Sequence, residues 1–175
     1  MNIIVQKFGG TSVSTEDRRK QVAIKVKEAI ENGFTPIVVV SAMGRKGQPY
    51  ATDTLLTLID DKFKETNRNS KDLLMCCGEI ISSVVVANAL YNEGIEAVPL
   101  TGGQAGIITD DNFCEAEYIS IDIDRLLSVV REGKVPVVTG FQGITKDGYF
   151  TTLGRGGSDT TACILGLSLI HISEP

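Results

Sequence analysis

The hydrophobic positions of this chain change period several times, and the changes divide it into alternating strands and helices. Ile3, Ile4, Val5 and Phe8 predict a buried strand that runs into Gly9-Gly10-Thr11-Ser12. Val22, Val26 and Ile30 then fall on one face of a helix, which Ser14 or Thr15 can cap and Asn32-Gly33 stops. The run Pro36-Ile37-Val38-Val39-Val40 has the composition of a strand covered on both faces of a parallel sheet, and it ends at Ser41-Ala42-Met43-Gly44. A polar loop from Gly44 to Asp53 leads into a helical pattern over Thr54 to Phe63. Glu65 to Lys71 is polar and expected to be unpacked. From Asp72 a long helix carries Leu73, Leu74, Cys77, Ile80, Ile81, Val84 and Val85 as its expected core face, through Tyr91.

The second half repeats the alternation. Ala97 to Leu100 predicts a strand that ends in the Gly-rich Thr101 to Gly106. Ile107-Ile108-Thr109 and Tyr118 to Ile121 read as a β-excursion around a polar segment. Ile123, Leu126, Leu127 and Val130 mark a helix stopped by Gly133, and Val135 to Thr139 is a further buried strand running into Gly140-Phe141-Gln142-Gly143. Lys146-Asp147-Gly148 is a turn signal that folds Ile144-Thr145 back on Tyr149-Phe150-Thr151 as a hairpin. That hairpin delivers Gly154, after which Asp159 to Gly166 is helix-compatible. Strands that alternate with helices predict an α/β fold, a mainly parallel open sheet sandwiched by helices. In such sheets ligands sit beyond the carboxyl ends of the strands, where this chain concentrates its glycines and hydroxyls.

Composition narrows the classes. The 175 residues, 42% hydrophobic, suffice for one globular domain with its own core. A net charge of −5 with scattered cations gives no footprint for nucleic acid. There is no signal-peptide pattern, and no apolar run suggests a membrane span, so a cytoplasmic protein without a membrane partner is expected. The four cysteines, Cys76, Cys77, Cys114 and Cys163, contain no CxxC pair and read as buried, reduced thiols. No metal ligand is assigned among them or to His171, the lone histidine. Any magnesium would arrive on a phosphate substrate, held by oxygens.

The candidate chemistry lies at strand ends. Gly154-Arg155-Gly156-Gly157-Ser158-Asp159, between an extended run and a helix, offers free backbone N–H groups and a guanidinium to an anion. The same residues also suit an ordinary turn with a solvated arginine. Lys7 with Gly9 and Gly10 suits a phosphate cradle or, equally, a strand end before a capped helix. It is not a Walker motif, because the lysine precedes the glycines. Glu79, in an apolar helix after Gly78, either faces solvent or is buried with a partner.

Lys7-Phe8-Gly9-Gly10-Thr11-Ser12-Val13, Val40-Ser41-Ala42-Met43-Gly44, Cys77-Gly78-Glu79, Gly140-Phe141-Gln142-Gly143 and Gly154 to Ala162 together resemble the aspartate kinases of the amino-acid kinase family, the monofunctional bacterial type in particular. The resemblance implies a carbamate kinase-like fold and ATP-dependent phosphorylation of the aspartate β-carboxylate, the first step toward lysine, methionine and threonine. ATP would come with Mg2+. It further implies that Lys7 and Asp159 are catalytic, Lys7 neutralising the transferring phosphoryl group and Asp159 orienting Lys7. Phe8, Gly9, Gly10, Ser41 and Ser158 would line the nucleotide phosphates. Thr54, Glu79, Arg155, Gly156, Gly157 and Ser158 would hold aspartate, Glu79 meeting its ammonium and Arg155 a carboxylate. Kinases of the same fold for glutamate, N-acetylglutamate or carbamate, and a non-catalytic amino-acid-binding module, are the alternatives.

The resemblance ends near Gly166. Residues 1–166 are expected to be the amino-acid-binding half and phosphate loop of the kinase domain, and Leu167 to Pro175 a non-native tail in which His171 has no function. The nucleotide-binding remainder and the regulatory ACT domains of the family, through which the full-length protein would form a homo-oligomer, are absent, so the piece alone is expected to be inactive.

Overall fold

The computed structural model describes residues 1–154 and 157–169. In chain order its elements are β1 (Ile3–Phe8), a 3-10 turn (Gly10–Val13), α1 (Glu16–Glu31), β2 (Thr35–Val40), α2 (Thr52–Leu56), α3 (Asp61–Thr66) and α4 (Arg68–Asn92). There follow β3 (Ala97–Leu100), β4 (Ile107–Thr109), β5 (Tyr118–Ile121), α5 (Asp124–Arg131), β6 (Val135–Thr139), β7 (Gln142–Ile144), β8 (Phe150–Thr152) and α6 (Gly157–Leu169).

The main sheet is parallel throughout, in the order β1-β2-β6-β3. Its middle strands are apolar on both faces because both faces are covered. Val38 and Val40 of β2 join Val22 and Val26 of α1 and Val86 and Leu90 of α4 in one cluster. Ile37 and Val39, the intervening residues, join Leu126 and Val130 of α5 and Leu165 of α6 in the other. Alternate side chains of one strand thus serve two cores, and the expected helix–sheet–helix sandwich is what forms. Register brings the strand ends level: Phe8 pairs with Val40, and Val40 with Thr139. Gly9, Ser41 and Gly140 therefore start their loops from one rim.

The excursion and the hairpin form a second, mixed sheet, β5-β4-β7-β8, with Ile144 opposite Phe150 as the turn signal predicts. Its contact with α4 is polar. The fully buried Asp72 accepts from Thr152 N–H at 3.0 Å, Thr152 Oγ1–H at 2.6 Å and Cys114 N–H at 2.8 Å. Thr109 and Thr151 share a hydroxyl hydrogen bond of 2.6 Å, and Gln142 Nε2–H donates to the Cys76 carbonyl.

Four expectations change. The Thr54–Phe63 pattern is two short helices, and Leu58 and Phe63 are exposed. The polar stretch from Glu65 to Lys71 is mostly helical, since α3 runs to Thr66 and α4 begins at Arg68. The face of α4 that packs inward carries Asp72, Met75, Cys76, Glu79, Ser82, Ser83 and Val86, whereas Leu73 and Val84 are 53% and 54% exposed. The small sheet presents the Thr152 hydroxyl and the Gln142 amide to this helix, where Asp72 and the Cys76 carbonyl accept from them. Finally, α4 is long and apolar enough to cross a membrane, but half of that stretch is buried within the fold, which marks it as a core helix. At the other end, α6 continues past Gly166 to the buried Leu169. His171 lies outside the described residues.

Candidate active site

Lys7 stands one residue before the end of β1, and its Nζ lies 3.0 Å from Oδ1 of Asp159 in the first turn of α6. α6 reaches this position because Gly140, at the end of β6, has no side chain. A Cβ there would meet the Ser158 side chain at 2.6 Å. Gly140 N–H donates to the Val40 carbonyl at 2.9 Å, and Phe141 N–H to Thr161 Oγ1 at 3.0 Å, tying the end of β6 to β2 and to α6. Ser41, just beyond β2, shares a 2.8 Å hydroxyl hydrogen bond with Ser158. A lysine ammonium, two hydroxyls and the amino end of a thirteen-residue helix therefore meet on one rim, a set of donors that fits a phosphate or carboxylate.

Beside this rim is a cavity of about 230 Å³, lined by Gly10, Ser41, Arg45, Lys46, Thr52, Asp53 and Glu79 among others. Glu79 is 3% exposed. Burial pushes its pKa up to about 8, against the lowering effect of the N–H groups of Glu79 and Ala42. Its Oε2 has no hydrogen-bond partner among the described residues. A buried carboxyl oxygen without a partner, at the wall of a cavity, is suited to a cationic ligand group, whose charge would stabilise the ionised form.

Lys7, Gly9, Gly10, Ser41, Gly157, Ser158 and Asp159 thus lie around the one rim, with Glu79 in the adjoining cavity, buried rather than solvated. Phe8 contributes only backbone: its ring is in the core, and its carbonyl accepts from Ser41 N–H at 3.2 Å. Thr54 is not in the cavity. Its hydroxyl accepts from Gly47 N–H at 3.2 Å, and Thr52 and Asp53 line the wall instead, because α2 starts two residues before the hydrophobic pattern does. Arg155 and Gly156 lie outside the described residues. Sequence reasoning missed Thr52, Asp53, Arg45 and Lys46. Arg45 and Lys46 belong to a polar loop, and Thr52 and Asp53 to the first turn of α2 that follows it, whose return to the rim has no periodic signal. Among the described residues no three His, Cys, Asp or Glu side chains cluster as metal ligands.

The model of the amino acid kinase family matches residues 2–169. Aspartokinase 1 of Bacillus subtilis is 50% identical over 169 residues, which are 97% of this chain and 42% of that protein. The aspartokinase of Geobacillus stearothermophilus is 44% identical over the same length, 40% of its own. The crystal structure of aspartate kinase from Synechocystis superposes with a TM-score of 0.73 at 40% identity, covering 97% of this chain and 27% of that one. The chain thus spans about two-fifths of the length of the curated relatives it matches. A parallel sheet whose strand ends gather Lys7, Ser41, Ser158 and Asp159, together with a match from Asn2 to Leu169, establishes that this chain belongs to the amino acid kinase family.

Proposed function

We propose that the protein carrying this chain transfers the terminal phosphoryl group of ATP to the β-carboxylate of aspartate, giving 4-phospho-aspartate, the first step toward lysine, threonine and methionine. The observation that carries this reading is a cationic, hydroxyl-lined rim directly beside a cavity with a buried carboxyl, one oxygen of which has no partner among the described residues. The rim suits the phosphoryl group in flight, and Glu79 suits the ammonium of an amino acid. Similarity to named aspartokinases at 44 to 50% identity favours aspartate as that amino acid.

Phosphoryl transfer asks the protein mainly for alignment and charge neutralisation. Lys7 would lie against the equatorial oxygens, with Asp159 holding its ammonium in place until phosphate displaces part of that ion pair. Ser41, Ser158 and the first N–H groups of α6 would donate to the same oxygens. The attacking carboxylate oxygen bonds to the γ-phosphorus as the bond from that phosphorus to the β,γ-bridging oxygen breaks, and ADP departs. No proton moves, because a carboxylate with an ordinary pKa near 4 is ionised at pH 7. Magnesium would be held through the phosphate oxygens of the nucleotide.

Trapping the acyl phosphate with hydroxylamine tests the reading. The protein should form aspartyl hydroxamate from Mg-ATP and L-aspartate, and Lys7→Ala should lower kcat by about 10²- to 10³-fold. Hydroxamate from glutamate and none from aspartate overturns the substrate, and a fully active Lys7→Ala overturns the mechanism.

A further inference from the structure

The segment from Gly44 to Gln48 is a built turn. Gly44 has φ +84°, and a Cβ there would collide with Gln48 Oε1. That oxygen accepts from Arg45 N–H at 2.6 Å, and Gln48 N–H returns a bond to the Arg45 carbonyl at 2.9 Å. Gly44 N–H donates to the Gly10 carbonyl at 3.0 Å, which fastens the turn to the loop after β1. Gly47 N–H is held by the Thr54 hydroxyl, so the threonine expected at the substrate anchors the turn instead. Arg45 Nε–H donates to Thr11 Oγ1 at 3.3 Å, and the two terminal nitrogens of its guanidinium have no partner among the described residues.

The turn sets Arg45 and Lys46 at the wall of the cavity that also holds Glu79. Among the described residues, the charged side chains on the wall of this cavity are therefore the buried acid Glu79, the two cations Arg45 and Lys46, and Asp53. That arrangement complements a zwitterion. Resting on the function proposed above, we propose that Arg45, with Lys46 beside it, is a specificity-determining residue that grips a carboxylate of the amino acid whose ammonium meets Glu79. A dicarboxylic substrate carries two such groups, and Arg155 is expected from the resemblance for one of them. A guanidinium held at Nε presents its outer N–H groups as a fork, which suits a carboxylate better than a point charge does.

Calorimetric titration of L-aspartate into the protein without nucleotide tests this. Arg45→Ala should raise the Kd for L-aspartate about ten- to a hundredfold, the range for a lost hydrogen bond to a charged group. Arg45→Lys should restore part of it, and neither variant should alter the melting temperature or the KM for ATP. An unchanged Kd in Arg45→Ala overturns the inference alone. A raised KM for ATP with unchanged aspartate binding also overturns it, since the arginine would then serve phosphate. If the wild type binds no aspartate, the proposed substrate falls together with it.

Discussion

The most buried strands of the two sheets are chemically opposite. In the parallel sheet Ile37, Val38, Val39 and Val40 are wholly inaccessible and belong to two apolar clusters. In the mixed sheet Gln142, Thr151 and Thr152 are just as inaccessible, and against them stands the carboxylate of Asp72. Aliphatic contact is non-directional and fixes how much is buried. Hydrogen bonds are directional and fix where things sit. The difference shows how the site is held: strand ends supply the rim, while the polar layer sets α4, and with it Glu79, against the hairpin that precedes α6.

Substitutions can break this contrast. Asp72→Ala should be the most damaging, costing about 3–5 kcal/mol in denaturant melts, because three donors lose a buried charged acceptor at once. Asp72→Asn can still accept from both N–H groups and donate to Thr152 Oγ1, so it should recover most of that. A small loss in Asp72→Ala would mean that the polar layer is incidental. Ile37→Ala should cost about 2–4 kcal/mol and Ile37→Val about 1, graded by volume as cavity formation predicts. An all-or-none response there would show that the parallel sheet also depends on geometry. Glu79 gives a pH signature. Its folded pKa of about 8 lies above the ordinary 4.5, so between those values the folded chain holds a proton that the unfolded chain has released. Stability should therefore fall as pH rises through that window. Glu79→Gln should lack the slope in urea melts at pH 5, 6.5 and 8. Smallest, Thr151→Val should cost about 1 kcal/mol, since Thr109 Oγ1 keeps its bond to the Asp110 carbonyl.

The parallel sheet was legible in the sequence because burial on both faces writes an unbroken apolar run, as in Ile37 to Val40 and Val135 to Val138. The rim was legible because glycines and hydroxyls recur where those runs stop. The polar layer was not. Asp72 lies off the apolar stripe of α4 and is buried because Thr152 and Cys114, far along the chain, donate to it, while Ser83 bonds back to the Ile80 carbonyl of its own helix. Glu79 was visible as an oddity but not as buried, for the same reason. Thr54 was placed at the substrate from its motif, whereas the turn at Gly44 and Gly47 takes its hydroxyl and brings Thr52 to the cavity. Such long-range closure depends on side-chain pairs far apart in the chain, which no local period records.

Cys76 gives the polar layer a clock. It is wholly buried, its Sγ–H points at the Thr151 carbonyl, and burial raises its pKa far above that of a free thiol, so it has almost no thiolate. The other three thiols are not buried as the sequence suggests: Cys77 and Cys114 are half-buried, and Cys163 on α6 is exposed. Under iodoacetamide, Cys163 should be alkylated at once and Cys76 only when α4 parts from the hairpin, so the ratio of the two labelling rates, read by mass spectrometry, measures how often that seam opens.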